Sequence, residues 1–208
     1  AVTEVFSRAR RPEQKQLRRD HLLATARGLL VEGMAINDLG LNELARRAEV
    51  SKANVYRYFE SREAVLLALL WEEATRAWME LTPQLRPGRR NASTPEGIAR
   101  TFARSFAGEP LLCALVASVP AVLEANLTTE TIVAFKHQML GFFDQAATAF
   151  EACCPDLSHA RYEALVYDAI MLIVGLYPMY HPSPAAAKAL EEPDLGFFRR
   201  DFGRELER

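Results

Sequence analysis

Nothing in this 208-residue sequence alternates apolar with polar residues as a half-buried strand would. It contains no GxGxxG or GxxxxGK[ST] loop to cradle phosphates, no HExxH and no GxSxG. The commonest local signatures of nucleotide, zinc-protease and serine-hydrolase chemistry are thereby missing. The four histidines, His21, His137, His159 and His181, are too scattered to suggest a metal site. Cysteine is scarce: Cys113, Cys153 and Cys154 make an odd number without CxxC spacing, which fits a reducing compartment better than a secreted disulfide scaffold. The adjacent Cys153 and Cys154 offer an oxidant-sensing pair, although cysteine is more often a small buried hydrophobe. No apolar h-region opens the chain, and the most hydrophobic run, "LVYDAIMLIVGLYPMY", is about four residues short of a membrane span and carries Asp168. There is no internal repeat and no low-complexity tract. These absences set the expectation of a cytoplasmic protein, not an enzyme, with no catalytic residues, no metal, no cofactor and no membrane partner.

Half of the residues are hydrophobic, enough for a substantial core in one large or two small domains. The formal net charge of −2 hides an asymmetry. Through Glu63 the chain carries 12 Lys and Arg against 9 Asp and Glu, and beyond it 13 against 18. Much of the excess lies in Arg8, Arg10, Arg11, Lys15, Arg18 and Arg19, which face only Glu4 and Glu13. A basic end of this kind suits a polyanionic partner, or serves as a solubilising tail.

Apolar residues recur at helical spacing almost throughout, so the expected fold is all-α. A first helix is expected from about Glu13 to Glu32, with Leu22, Leu23, Ala26, Leu29 and Leu30 inward and Gly33 ending it. Leu41, Leu44, Ala45 and Ala48 give a short second helix one apolar stripe. Ser51 and Ser61 sit where caps of a third and a fourth helix belong. After the loop "TPQLRPGRRNASTPE", Ile98, Phe102 and Phe106 mark another helix, and Pro120 interrupts the apolar stretch after it. Ile132, Phe135, Met139, Phe142, Ala146 and Phe150 stripe a long helix. The following one is apolar almost all round and must be covered on most sides. Leu195, Phe198, Phe202 and Leu206 repeat at spacings of three and four near the end.

The stretch "EVSKANVYRYFESRE" is short of apolar residues for a helix that has to be held in place. At about 100° per residue, Val55 and Phe59 share one face, with the stem of Lys52 at its edge, and Asn54, Arg57 and Tyr58 cluster on another. An ordinary solvated surface helix would read the same way. Its context decides: "LNELARRAEVSKANVYRYFE" has small Ala45 where two helices would cross, apolar Leu44, Ala48, Val50 and Val55 where they would share a core, and a tight connection from Glu49 to Ser51. That is the pattern of a helix-turn-helix.

From Arg18 to Leu70 the sequence resembles the TetR family of bacterial transcriptional repressors. The carriers are "LLATARGLLVEG" and "LNELARRAEVSKANVYRYFESREAVL"; the remainder is similar in length and helical character. Two positions depart from the family pattern. Glu49 stands where glycine is frequent in the turn, so the turn either avoids φ > 0 or accepts about 1 kcal/mol of strain. Gly40 stands where a hydroxyl residue commonly caps the second helix.

The resemblance implies a three-helix DNA-binding domain over residues 13–63 and a helical effector-binding and dimerisation domain over 64–208. It implies a double-stranded operator, read as a palindrome by a homodimer that a small apolar or amphipathic inducer releases. Lys52 and Arg62 look like phosphate contacts at helix starts, where backbone N–H groups also favour anions. Tyr56 and Tyr58 look like the family's aromatic pair, and Asn54 and Arg57 are candidates for base edges, Asn suiting adenine and Arg guanine. An inducer pocket would draw on Phe102, Phe106, Phe135, Met139, Phe142, Tyr167 and Met171. The partner surface would come from Tyr162–Tyr177 and "DLGFFRRDFGRELE", with Gly175 allowing close approach. Two rivals remain: a DNA-binding protein that answers to a protein partner, and a helical-bundle enzyme.

Overall fold

The computed structural model describes residues 12–89 and 92–207. Arg8, Arg10 and Arg11 of the basic arm lie outside them. Every regular element among the described residues is helical. The chain divides into two compact units at Leu69 and Leu70, six residues beyond the boundary the sequence suggested.

The first unit is built from α1 (Pro12–Val31), α2 (Leu41–Arg47), α3 (Lys52–Tyr56) and the opening turns of α4 (Arg62–Leu81). Leu22, Leu23, Ala26 and Leu29 of α1 are buried together with Leu44, Ala45, Val55 and Phe59, so the sparse apolar stripes are all used. Gly33 ends α1 at φ +104°. Its N–H donates to the Leu30 carbonyl and the Met34 N–H to that of Leu29, the paired bonds of a Schellman motif.

The same motif closes α2, with a different residue at its left-handed position. The Glu49 N–H donates to the Arg46 carbonyl and the Val50 N–H to that of Ala45, while Glu49 takes φ +55°. A Cβ at this φ costs roughly 1–2 kcal/mol. Of the two alternatives open in the sequence, the chain adopts the strained turn. Gly40 begins α2 without a side-chain cap.

The second unit contains the remainder of α4, then α5 (Pro95–Ala107), α6 (Pro110–Ser118), α7 (Thr129–Cys153), α8 (His159–Tyr180), α9 (Pro184–Ala189) and α10 (Phe202–Leu206). Thr94 caps α5 by accepting from the Gly97 N–H, and Pro95 occupies the first helical position, where no amide hydrogen is needed. Pro120 sits in a π turn, Val119–Leu123, that breaks the helical run after α6. Helix α8 packs on α6 and α7, and α10 packs on α5 and α8. Aromatic edges knit the interior: Phe150 meets Phe102 at 5.9 Å, Tyr162 at 5.7 Å and Trp78 at 6.3 Å between ring centres.

Two expectations change. The terminal repeat is not one helix: a 3-10 segment, Pro193–Phe198, precedes α10. Phe202 and Leu206 are buried in this chain, whereas Phe198 is exposed. Nor is α8 covered on most sides within one chain. Tyr162, Val166, Ile170 and Ile173 form its buried stripe, but Tyr167 is 50% exposed, Leu172 49% and Met179 65%. At 22 residues α8 is long and apolar enough to cross a membrane, which the shorter apolar run alone did not suggest. It carries Arg161, Glu163 and Asp168, and its buried stripe faces the chain's own core.

Candidate nucleic-acid interface and effector cavity

Helix α3 is one and a half turns long, too short to persist by itself. Three features hold it. The Ser51 hydroxyl accepts from the Asn54 N–H at 3.2 Å. Val55 and Phe59 are 0% and 3% exposed, anchors worth about 1.5–3 kcal/mol each. The Arg19 guanidinium of α1 lies 5.2 Å from the centre of the Phe59 ring. His21 adds a tie to the turn, its Nε2 lying 3.2 Å from the Ala48 carbonyl. Its role is structural.

With the inner side fixed, Lys52, Tyr56 and Arg57 stand exposed. Lys52 Nζ lies 5.7 Å from the centre of the Tyr56 ring, and neither Lys52 nor Arg57 is in an ion pair among the described residues. Nearby cations are committed: Arg46 pairs with Glu43, which holds that carboxyl below its ordinary range, and Arg47 pairs with Glu32. Asn54 and Tyr58 are half-buried. The helix also ends sooner than the sequence suggested, so Arg57 is its C-cap and Tyr58 follows on the turn.

Arg62 stands apart from the other expected contacts. Its Nη1 donates to the Asn37 carbonyl at 2.6 Å, and it pairs with buried Glu63 at 3.0 Å. Ser61 caps α4 by accepting from the Ala64 N–H. Arg62 therefore clasps the chain around Ile36–Asp38 to the start of α4.

The second unit holds a cavity of about 650 Å³ that is partly open to solvent. Phe106, Phe135, Met139, Phe142, Tyr167 and Met171 line it. Phe102, grouped with them in the sequence, does not: it is 1% exposed, with its ring 4.6 Å from that of Phe106. Pro120 and Trp71 join the wall, as does an ion pair between Lys136 and Glu124. Trp71 lies within the residues 64–208 expected to bind the effector, but the sequence grouped only residues of later helices as pocket-lining, because nothing in the α4 pattern marks which of its apolar residues faces the cavity. Trp71 meets Phe135 edge-on at 5.8 Å, and its indole Nε1 is buried without a hydrogen-bond partner.

Two further clusters belong to this unit. Arg76 bonds Glu109 and Glu73, which raise its pKa further, and also Glu80. Glu73 is 2% exposed. Asp144, His159 and Glu163 bring ligand-type atoms within 4.8 Å of one another, a grouping that the spacing of the histidines did not reveal. His159 lies 3.1 Å from Asp144 and 3.5 Å from Glu151, so the group links α7 to α8.

Comparison with known families decides what this architecture belongs to. The model of the N-terminal domain of the tetR family of bacterial regulatory proteins matches residues 22–69, and that of the tetracyclin repressor-like C-terminal domain matches 70–208. The chain belongs to the TetR family. The TetR-type helix-turn-helix accordingly consists of α2, the Glu49 turn and α3. Its relatives include the HTH-type transcriptional repressor NemR of Escherichia coli, 38% identical over 73 residues, 35% of this chain and 36% of the relative. The HTH-type transcriptional regulator EthR of Mycobacterium tuberculosis is 43% identical over 60 residues, 29% of this chain and 27% of the relative. The chain thus spans only about a third of the length of the curated relatives it matches. TetR membership places the chain among DNA-binding transcriptional regulators.

Proposed function

We propose that this TetR-family regulator is a repressor that binds a palindromic DNA operator as a homodimer and releases it when a small apolar or amphipathic molecule enters the cavity of the second unit. The observation that carries the DNA-binding part is the division of labour on α3. Val55 and Phe59 are spent on the core, while Lys52, Tyr56 and Arg57 remain bare beside one another. Lys52 contacts phosphate, Tyr56 touches phosphate or a thymine methyl, and Arg57 reaches a guanine edge. Half-buried Asn54 and Tyr58 complete the surface from its edge. Arg62 acts mainly by positioning the start of α4.

One such helix reads only a few base pairs, so specificity requires two of them about 34 Å apart. The dimer forms through the bare face of α8, where Leu172, Gly175 and Met179 follow one another at helical spacing and Gly175 has open space around it. Exposed Phe197 and Phe198 extend this apolar surface. Only a ligand that prefers one geometry of the dimer can release DNA. The cavity favours this reading over a regulator that answers only to a protein, because such a regulator needs no apolar cavity of this size. The test is operator binding by Lys52→Ala and Tyr56→Ala. Each weakens binding with folding unchanged; unaltered affinity in both contradicts the interface.

A further inference from the structure

Asp144 and Glu151 stand two turns apart on α7, and His159 and Glu163 one turn apart on α8, so each pair shares a face of its helix. The imidazole of His159 lies among the three carboxylates. Its Nε2 is 3.1 Å from Asp144 Oδ1 and 3.8 Å from Glu163 Oε1, and its Nδ1 is 3.5 Å from Glu151 Oε2. A neutral imidazole has one N–H, so it donates on one side and turns a lone pair toward carboxylate oxygen on the other. Among the described residues, no lysine or arginine pairs with any of these three carboxylates. The side of Nε2, where two carboxylate oxygens converge, calls for a positive charge that neighbouring basic side chains do not supply.

We propose that Asp144, His159 and Glu163 bind a divalent transition-metal ion of the zinc type, with water completing its coordination. In a tetrahedral zinc site, metal–nitrogen and metal–oxygen bonds of about 2.0–2.2 Å set the donor atoms roughly 3.3–3.5 Å apart. The 3.1 and 3.8 Å separations at Nε2 bracket that spacing, and all three donor atoms lie within 4.8 Å of one another. Asp144 is exposed, so its side chain is free to turn onto the ion. Glu151 accepts from the Nδ1–H and fixes the tautomer that presents Nε2, the arrangement usual for a metal-bound histidine. An imidazole nitrogen beside two carboxylates suits Zn2+ and its first-row neighbours, whereas Ca2+ and Mg2+ take oxygen ligands. The ion joins α7 to α8, and because Glu163 also lines the cavity it stands at the cavity's rim. The site does not depend on the cavity taking an effector.

Calorimetric titration of Zn2+ into the metal-stripped full chain, in a buffer that does not bind zinc, tests this. One equivalent binds per chain, and Ca2+ at the same concentration does not. His159→Ala and Asp144→Asn each weaken zinc binding by about tenfold or more, and Glu151→Gln by about tenfold, the effect of losing an outer partner. Circular dichroism of the variants shows unchanged helix content. The ring nitrogens of 15N-histidine in the unaltered protein give a reading that needs no variant: of the four histidines, His159 shows the zinc-dependent shift, at Nε2. Zinc that binds equally well to both ligand variants sits elsewhere, on the cysteines or the other histidines, and overturns the inference. So does the absence of binding, in which case a second ring proton alone balances the carboxylates. Ca2+ binding as tightly as Zn2+ overturns it too, because the imidazole then plays no part.

Discussion

Arg62 donates a hydrogen bond of 2.6 Å to the backbone carbonyl of Asn37, twenty-five residues earlier in the chain. With its 3.0 Å pair to Glu63, this makes Arg62 a clasp, whereas Lys52, ten residues before it, has no ion-pair partner among the described residues. The two cations should therefore separate on mutation. Lys52→Ala lowers operator affinity and changes stability by no more than about 0.5 kcal/mol, the usual range for a surface substitution. Arg62→Ala also destabilises the fold, by about 1–2 kcal/mol, through the lost bond to Asn37. Denaturant unfolding and a DNA titration of both variants check the split. Equal stability loss in the two would contradict it.

Phe59 provides the complementary case. It is 3% exposed and carries Arg19 against its ring, so Phe59→Ala destabilises by about 3 kcal/mol or more through the cavity it leaves. A shift in the denaturation midpoint with an unchanged slope reads this directly.

The turn between α2 and α3 stores strain at Glu49, φ +55°. Glu49→Gly removes the Cβ that makes this conformation costly and stabilises the protein by up to about 1 kcal/mol. Gly33 already shows the relaxed version of the same motif at the end of α1. A loss of stability in Glu49→Gly would show that the glutamate side chain contributes more than its backbone costs.

Arg76 should matter more than its exposure suggests. Arg76→Ala deprives Glu73, 2% exposed, of its ion pair at 2.7 Å and costs about 2 kcal/mol, discounted for the solvent that reaches the arginine. Glu80→Ala removes an exposed partner and stays within about 0.5 kcal/mol. Thermal unfolding of the two variants gives the order.

The cysteines are poorly placed for oxidant sensing. Burial pushes the Cys113 thiol up to about 12, and burial with the neighbouring Cys154 raises that of Cys153. Below these values the thiols stay protonated and unreactive. Iodoacetamide at neutral pH therefore labels half-buried Cys153 slowly and spares Cys113 and Cys154, which are 0% and 1% exposed, until the protein unfolds. Rapid labelling of the folded chain, followed by mass spectrometry, would reverse that conclusion.

How far the sequence announces this structure varies from place to place. The caps of α3 and α4 are legible because Ser51 and Ser61 act locally, each on an N–H three residues on. The inward faces of α1 to α3 are legible because a helical period leaves few ways to bury Val55 and Phe59. The end of α3 is less so. Tyr58 and Phe59 keep an apolar rhythm past Tyr56, but the helix ends there with Arg57 as its C-cap. The commitment of Arg62 to Asn37 is invisible in sequence because it joins residues from separate elements. For the same reason an apolar pattern could not tell Phe102, which is core, from Phe106, which lines the cavity. The terminal repeat misled because regular spacing of Leu195, Phe198, Phe202 and Leu206 does not reveal a break at Arg199–Asp201.

Selection of bound fragments from random duplex DNA by the full chain tests the central claim most directly. The account predicts an enriched palindrome whose half-sites are centred about 34 Å apart, or a multiple of it, with enrichment abolished in Lys52→Ala and Arg57→Ala. It also predicts that affinity falls with salt, by about 0.9 in the logarithm per phosphate neutralised. No enriched sequence, or a single undivided site unaffected by either variant, would contradict it.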